Sequence, residues 1–369
     1  MHTITMRSAR WATIVVAGFF VACHSTRPSP RLDGTVSHRR TFDSLIVDLQ
    51  HDSTRDIKGV MVVRAGGALL ESYFNGDGPE TLHDIRSASK SITSILAGIA
   101  LDRHLIDNVD QPLEQIIPTL AGSAAGETTL RACLTMRTGL AADDVDSLSP
   151  GNENRIDQSN DWLAFAGTVS RARPQNQRYL YASLNAFLAG AAVEEAAHVP
   201  LATFADQVLF RPLGITQYSW RRGPRGEGVG QGNLSLRLRD MITLGELFLH
   251  GGKYGDARIV SSSWVQASLA PVVPTGGTID PYADAYGYLW YLKRYAVGTG
   301  GDSVTVHFAS GNGGNKIYIV PRYDLVIAIT SSAYNHGYGQ RRSEAILRRV
   351  LTATTEGPRA EPDAGIGAR

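Results

Sequence analysis

Apolar positions along this chain change rhythm several times, and each change marks an element. FDSLIVDLQ spaces its apolar residues for one helical face. GVMVVRAGGALLESYFNGDG then reads as two strands around a Gly-Gly turn. From about residue 100 to 240 helical spacing dominates, cut by turns, as in SILAGIALDRHL, ATFADQVLF and RDMITLGELFLHGG. The last third returns to strands: DSVTVHFAS, NKIYIVP and DLVIAITSSA alternate or run apolar, separated by Gly-rich or Pro-containing turns. GQRRSEAILRRVLTA closes as an amphipathic helix, and the polar stretch from Glu356 onward predicts a disordered tail over 356–369. No repeat occurs at solenoid periods. Strands at both ends of a chain pair when the middle forms a helical lobe. The order therefore predicts an α/β (α+β) fold: an antiparallel β-sheet flanked by terminal helices, with an inserted, mainly helical domain. The expected boundaries are 41–100 and 241–355 for the sheet domain and 101–240 for the helical one. A site between two lobes is the default place for a small-molecule pocket.

Composition narrows the function classes. Of 369 residues 43% are hydrophobic, enough for a sizeable core. Lys and Arg number 36 against 35 Asp and Glu, so no field is set up to attract nucleic acid or an acidic surface. The short clusters Arg221-Arg222 and Arg348-Arg349 read as solvated faces. At the N-terminus, Arg7 and Arg10 precede the apolar run WATIVVAGFFVAC, which is too short to span a membrane comfortably. A basic start, a short apolar core and a small-residue exit predict a signal peptide over 1–22 and an exported product. Phe20-Val21-Ala22-Cys23 resembles a bacterial lipobox, with Phe20 where Leu is usual. Cys23 is then the expected lipidation site, 23–40 a flexible tether, and the location periplasmic, membrane-bound only through the anchor. Cys133, the second of two cysteines, lies in the helical pattern TLRACLTM and reads as a buried, inert thiol.

Candidate chemistry starts at HDIRSASKSITSILAG. If Ser87 begins a helix, its hydroxyl and its N–H sit at the positive end of the helix dipole. Lys90, three residues on, lies on the same face within reach of Ser87. With Ile92, Ile95 and Leu96 behind it, the ammonium is desolvated, which lowers its pKa and can make it a base. A serine activated in this way attacks an acyl carbon. A capping serine beside a solvated lysine is the plain alternative, and the dyad alone does not decide.

The surroundings do. The Ser-x-x-Lys segment resembles that of the serine β-lactamase and penicillin-binding-protein superfamily. TLRACLTMRTGL, YLYASLNAFLAGAAVEEA, LFRPLGITQYSW, YGYLWYL and ASGNGGNKIYIVPRYDLVIAIT are similar, in order, to segments of its class C β-lactamase-like branch, over roughly 41–352. Within it, SGNGGNKIYIVP and YGYLWYL lean toward 6-aminohexanoate-oligomer hydrolases and carboxylesterases. The resemblance implies Ser87 as the acylated nucleophile, Lys90 as its proton-transfer partner, and Tyr181 as general base or relay, with phenolate character favoured by Lys90. Tyr179 is the alternative register. It also implies an oxyanion hole from the Ser87 N–H and an N–H just after Gly311, that of Asn312. Glycine at 311 lets the substrate approach the backbone.

Two departures stand out. Ser183 occupies the place of the family's Asn, and Ala309-Ser310-Gly311 aligns with a third motif that carries a cation in relatives. Without that cation an efficient β-lactamase or D,D-peptidase is disfavoured. Lys316, close by, is expected to be exposed on the following strand, and His307 to be a partly exposed strand residue. The substrate expected is therefore a small-molecule ester or amide, with Ser183 and Ser310 among the groups that bind it. The alternatives are β-lactamase or D,D-peptidase activity and, in another class, an inactive penicillin-binding-like envelope protein. No H-E-x-x-H, phosphate loop or dinucleotide fingerprint occurs, so no metal and no cofactor is expected. The loops AADDVDSLSPGNENRIDQSND and PVVPTGGTIDPYADA are expected to shape the pocket walls.

Overall fold

In the computed structural model the residues described are 36–297 and 302–355. The segment expected to be a signal peptide, Cys23, most of the expected tether and the stretch expected to be a disordered tail lie outside them. The first helix, α1 (Val36–Gln50), begins within the expected tether and takes up its last five residues. Strands β1 (Ile57–Arg64) and β2 (Gly67–Tyr73) form the first hairpin. Ala65 and Gly66 both turn through positive φ, which lets the chain reverse tightly. Six further strands from the last third complete the sheet: β3 (Val273–Pro274), β4 (Ala285–Tyr286), β5 (Tyr291–Ala296), β6 (Ser303–Gly311), β7 (Asn315–Val320) and β8 (Leu325–Ser331). Their spatial order is β2-β1-β8-β7-β6-β5-β4-β3, every pair antiparallel. The two ends of the chain thus meet at the β1–β8 pair, as the element order predicts.

β3, β4 and β5 are not in the expected set. The first two are two-residue strands, and β5 carries Lys293-Arg294 in mid-strand, which breaks an apolar rhythm. β7 and β8 are buried at every position, so both faces of the sheet centre are covered. Helix α2 (Lys90–Asp102) follows the Ser-x-x-Lys segment, α3 (Ser183–Ala197) lies in the helical block, and α4 (Leu238–Leu249) leads back to the sheet. α4 rests directly on β7 and β8: a Cβ at Gly245 would stand 2.5 Å from Val326 and 3.1 Å from Ile317. The terminal helix α5 (Tyr338–Thr355) packs beside α1 and sends Glu344 to the Tyr295 hydroxyl of β5, 2.6 Å away. α2 is buried along nearly its whole length, and two of its polar residues are tied down: Ser91 donates to the Leu289 carbonyl and Thr93 to that of Gly230. Cys133 is fully buried, and burial pushes its thiol pKa well up, as an inert core cysteine requires.

Candidate active site

The Ser-x-x-Lys segment is held between sheet and helical lobe by its backbone. Ser87 sits in a 3-10 turn, Arg86–Ser89, that runs directly into α2. Arg86, just before it, has φ of +52°, a left-handed conformation costly for a residue with a side chain. Asp84 anchors this turn: one carboxylate oxygen accepts from the Arg86 N–H at 2.9 Å and the other from the Asn233 amide at 3.1 Å. Opposite the turn is the end of β6. A Cβ at Gly311 would lie 2.0 Å from the Ile85 carbonyl oxygen, so only glycine allows the strand so close.

Lys90 is 2% exposed and is the hub of the site. Its Nζ donates to Ser87 Oγ at 2.9 Å, to Ser183 Oγ at 3.1 Å and to the Gln231 carbonyl at 2.7 Å. Three acceptors match the three ammonium protons. Burial nevertheless lowers the lysine's pKa, while the charges of Glu153 and Asp144 oppose the shift. Those carboxylates connect through Ser183: its hydroxyl donates to Glu153 at 2.9 Å and its N–H to Asp144 at 2.6 Å. Burial, with Glu153 nearby, pushes Asp144 up to about 6. Ser183, expected among the groups that bind substrate, is instead fully buried and bridges the lysine to an acidic pair.

Tyr181 hydrogen-bonds to Ser87, and Lys90 Nζ stands 5.0 Å from its ring centroid. Tyr179, the alternative register, turns away to the Tyr291 hydroxyl at 3.3 Å. The expected phenolate character of Tyr181 is not met. Burial raises its pKa strongly, Asp144 and Glu153 add to that, and only the Ser87 hydrogen bond lowers it. The resting Tyr181 is a phenol.

Ser87, Tyr181, Ser310, Gly311 and Asn312 line one pocket together with Asp144. Asn312 is fixed there by Asn335, whose Oδ1 accepts from its amide at 2.8 Å and whose N–H donates to its Oδ1 at 2.7 Å. The Gly311 carbonyl is engaged by Gln340 Nε2 at 2.9 Å. The expectation that Lys316 is exposed is wrong. Strand β7 is central and covered on both faces, so Lys316 is wholly buried and paired with Asp280. His307 is partly exposed, and burial pushes its pKa down to about 4. Asp144, Glu153, Gln231 and Asp280 were not singled out from the sequence; Asp144, Gln231 and Asp280 lie in loops without apolar periodicity, and Glu153 opens the short helix Glu153–Gln158. Among the described residues no group of three or more His, Cys, Asp or Glu side chains is placed to hold a metal ion.

An antiparallel sheet carrying terminal helices, with a Ser-x-x-Lys turn packed against the end of β6 and running into a buried helix, defines a mixed α/β fold of the β-lactamase/transpeptidase-like class. The Beta-lactamase family model matches residues 42–351, and the chain belongs to that family. A 6-aminohexanoate-dimer hydrolase of Paenarthrobacter ureafaciens is 26% identical over 286 residues, 74% of this chain and 71% of that one. Two solved structures share the fold. A Bacillus anthracis candidate 6-aminohexanoate-dimer hydrolase has a TM-score of 0.70 at 18% identity, over 88% of this chain and 87% of its own. EstCE1, described as a hydrolase with promiscuous acyltransferase activity, has a TM-score of 0.66 at 13% identity, over 86% and 97%. The chain is thus a β-lactamase-fold protein of a hydrolase family.

Proposed function

We propose that the protein is a serine hydrolase that cleaves a small ester or amide through an acyl-enzyme on Ser87. The observation that carries this reading is the 2.9 Å contact between Ser87 Oγ and the Nζ of a buried lysine, with the Tyr181 phenol on the same hydroxyl. Neutral Lys90, which burial makes accessible, takes the Ser87 proton as Oγ bonds to the carbonyl carbon and the C=O electron pair moves to oxygen. The Ser87 and Asn312 N–H groups receive that oxyanion. Collapse breaks the bond to the leaving group. Tyr181 protonates the departing atom and recovers its proton from the Lys90 ammonium. Water then attacks the acyl carbon and loses a proton to Lys90. That proton returns to Ser87 Oγ as the acid is released.

Ester or amide is favoured over β-lactam because no cation stands at 309–311 and the buried ammonium of Lys316 is neutralised by Asp280. The 6-aminohexanoate-dimer hydrolase relative agrees with an amide substrate, EstCE1 with acyl transfer more broadly. Export, with lipidation at Cys23, is part of the proposal and rests on the N-terminal pattern. Its test is the mass of the mature N-terminus. For the chemistry, hydrolysis of p-nitrophenyl acetate and butyrate is compared with that of nitrocefin, using wild type and Ser87→Ala. Ester turnover that disappears in Ser87→Ala, with little nitrocefin cleavage, is expected. Strong nitrocefin turnover would instead mark a β-lactamase. Failure of a fluorophosphonate to label Ser87 would leave a non-catalytic binding protein.

A further inference from the structure

The mechanism leaves unused a pair of charges buried behind the pocket wall. Ser310 on β6 and Lys316 on β7 are direct cross-strand partners, so their side chains rise from the same face. Lys316 Nζ donates to Ser310 Oγ at 2.8 Å. Asp280, from the loop between β3 and β4, closes the triangle: it accepts from Ser310 Oγ at 2.7 Å and from Lys316. Its other oxygen accepts from the Tyr282 N–H at 3.0 Å. Lys316 is 0% and Asp280 1% exposed. Burial alone would raise the Asp280 carboxyl, yet the Lys316 charge and these hydrogen bonds hold it below the ordinary carboxylate range. Two ions buried this deeply without mutual contact would be very costly, and their pairing is tight.

The chemistry of the triangle fixes the serine. An ammonium only donates and a carboxylate only accepts, while a hydroxyl has one proton and two lone pairs. The Ser310 proton is therefore committed to Asp280 and one lone pair to Lys316. What remains for the pocket, which Ser310 shares with Ser87 and Tyr181, is a lone pair. The same wall carries no free cation from this pair, because Asp280 neutralises it, and Asp144 adds a carboxylate to the lining.

Building on the Ser87 reading, we infer that Lys316 and Asp280 lock Ser310 as a hydrogen-bond acceptor, so that the site selects acyl substrates presenting an N–H beside the scissile carbonyl. Ser310 is a specificity-determining residue, and Lys316 and Asp280 are positioning residues that act through it.

The test compares hexanoyl 4-nitroanilide, which offers an N–H, with 4-nitrophenyl hexanoate, which does not. The readout is the ratio of their kcat/KM values. Ser310→Ala should lower the anilide-to-ester ratio about tenfold, the worth of one hydrogen bond. Ser310→Thr, which keeps the hydroxyl, should hold it within about twofold. Asp280→Asn combined with Lys316→Met removes both ions together and frees the hydroxyl to rotate, so the ratio should fall there too, in a variant whose thermal melt shows it folded. Equal losses on both substrates in Ser310→Ala, an unchanged ratio, or a wild type that cleaves only the ester would each overturn the inference. Turnover that survives in Ser87→Ala would instead sink the Ser87 reading, and this inference with it.

Discussion

Gly311→Ala tests how the site is assembled, because it adds one methyl at the seam between sheet and nucleophile turn. The new Cβ would stand 2.0 Å from the Ile85 carbonyl oxygen and 3.2 Å from the Ala88 nitrogen. Both neighbours are backbone, so no side chain can swing aside. Carbon and oxygen do not approach closer than about 3 Å, so the end of β6 and the 85–88 turn must separate by about 1 Å. That turn is already held at an unfavourable φ on Arg86 and pinned by Asp84, so it has little freedom to yield. A misplacement of about 1 Å in an acyl site costs on the order of 100-fold in rate. The core elsewhere is untouched, and overpacking of this kind costs about 1–3 kcal/mol. The expected outcome is a folded variant with p-nitrophenyl butyrate kcat/KM reduced on the order of 100-fold and a modestly lower Tm. A Gly311→Ala enzyme with wild-type kcat/KM would refute the argument that strand and turn are held at van der Waals distance for catalysis.

Three further outcomes follow from the geometry. Lys90→Met removes the proton acceptor and the hub of three hydrogen bonds, and kcat for ester hydrolysis should fall on the order of 100- to 10,000-fold across pH 6–9; a residual activity within tenfold of wild type would remove Lys90 from the mechanism. Gly98→Ala places a Cβ 2.3 Å from the Trp264 indole on buried helix α2, and thermal melts should show a loss on the order of 1–3 kcal/mol, with an unchanged Tm contradicting the packing. Asp144 is raised from 3.8 to about 6 in the folded state, so the folded protein binds its proton more tightly than the unfolded one. Its stabilising share is complete below about pH 4 and lost as pH rises through 6. Asp144→Asn should therefore melt higher than wild type at pH 8 and equally near pH 4, and a lower Tm at pH 8 would reverse the sign.

Much of this was legible because periodicity marks long elements. The strands in DSVTVHFAS, NKIYIVP and DLVIAITSSA and the helices α2, α4 and α5 stand where their apolar rhythm places them. What escaped was decided by long-range geometry. Lys316 looks like a solvent-facing strand residue only if the sheet has an open face. Position seven of eight strands in chain order, but fourth in space, buries both sides of it. Its ammonium then had to find a partner, and that partner lies 36 residues earlier in a loop with no periodicity. Tyr181 and Tyr179 both face inward. Only the path of the chain sends one to Ser87 and the other to Tyr291. Asp144 and Glu153 were invisible for a similar reason, since a loop and the start of a short helix reach Lys90 through Ser183 rather than through any spacing in the sequence.

The two buried lysines show how one fold gives the same side chain opposite duties. Lys90 touches only neutral oxygens, two hydroxyls and one carbonyl, and its nearest carboxylate contact runs through the Ser183 hydroxyl. Burial disfavours its charge and no anion in direct contact restores it, so the neutral base lies within reach. Lys316 is as deeply buried but has a carboxylate in direct contact, and each ion stabilises the other. Burial lowers its pKa too, but the charge and hydrogen bond of Asp280 oppose that shift, and the hydroxyl it touches is fixed. A carboxylate moved into direct contact with Lys90 would make it a second Lys316. Ser183→Asp makes that change: the carboxylate replaces the hydroxyl 3.1 Å from Nζ and should hold the ammonium. The expected result is an alkaline shift of the kcat/KM profile for p-nitrophenyl butyrate, with activity at neutral pH reduced. An unshifted profile would show that the neutral surroundings of Lys90 do not set its reactivity.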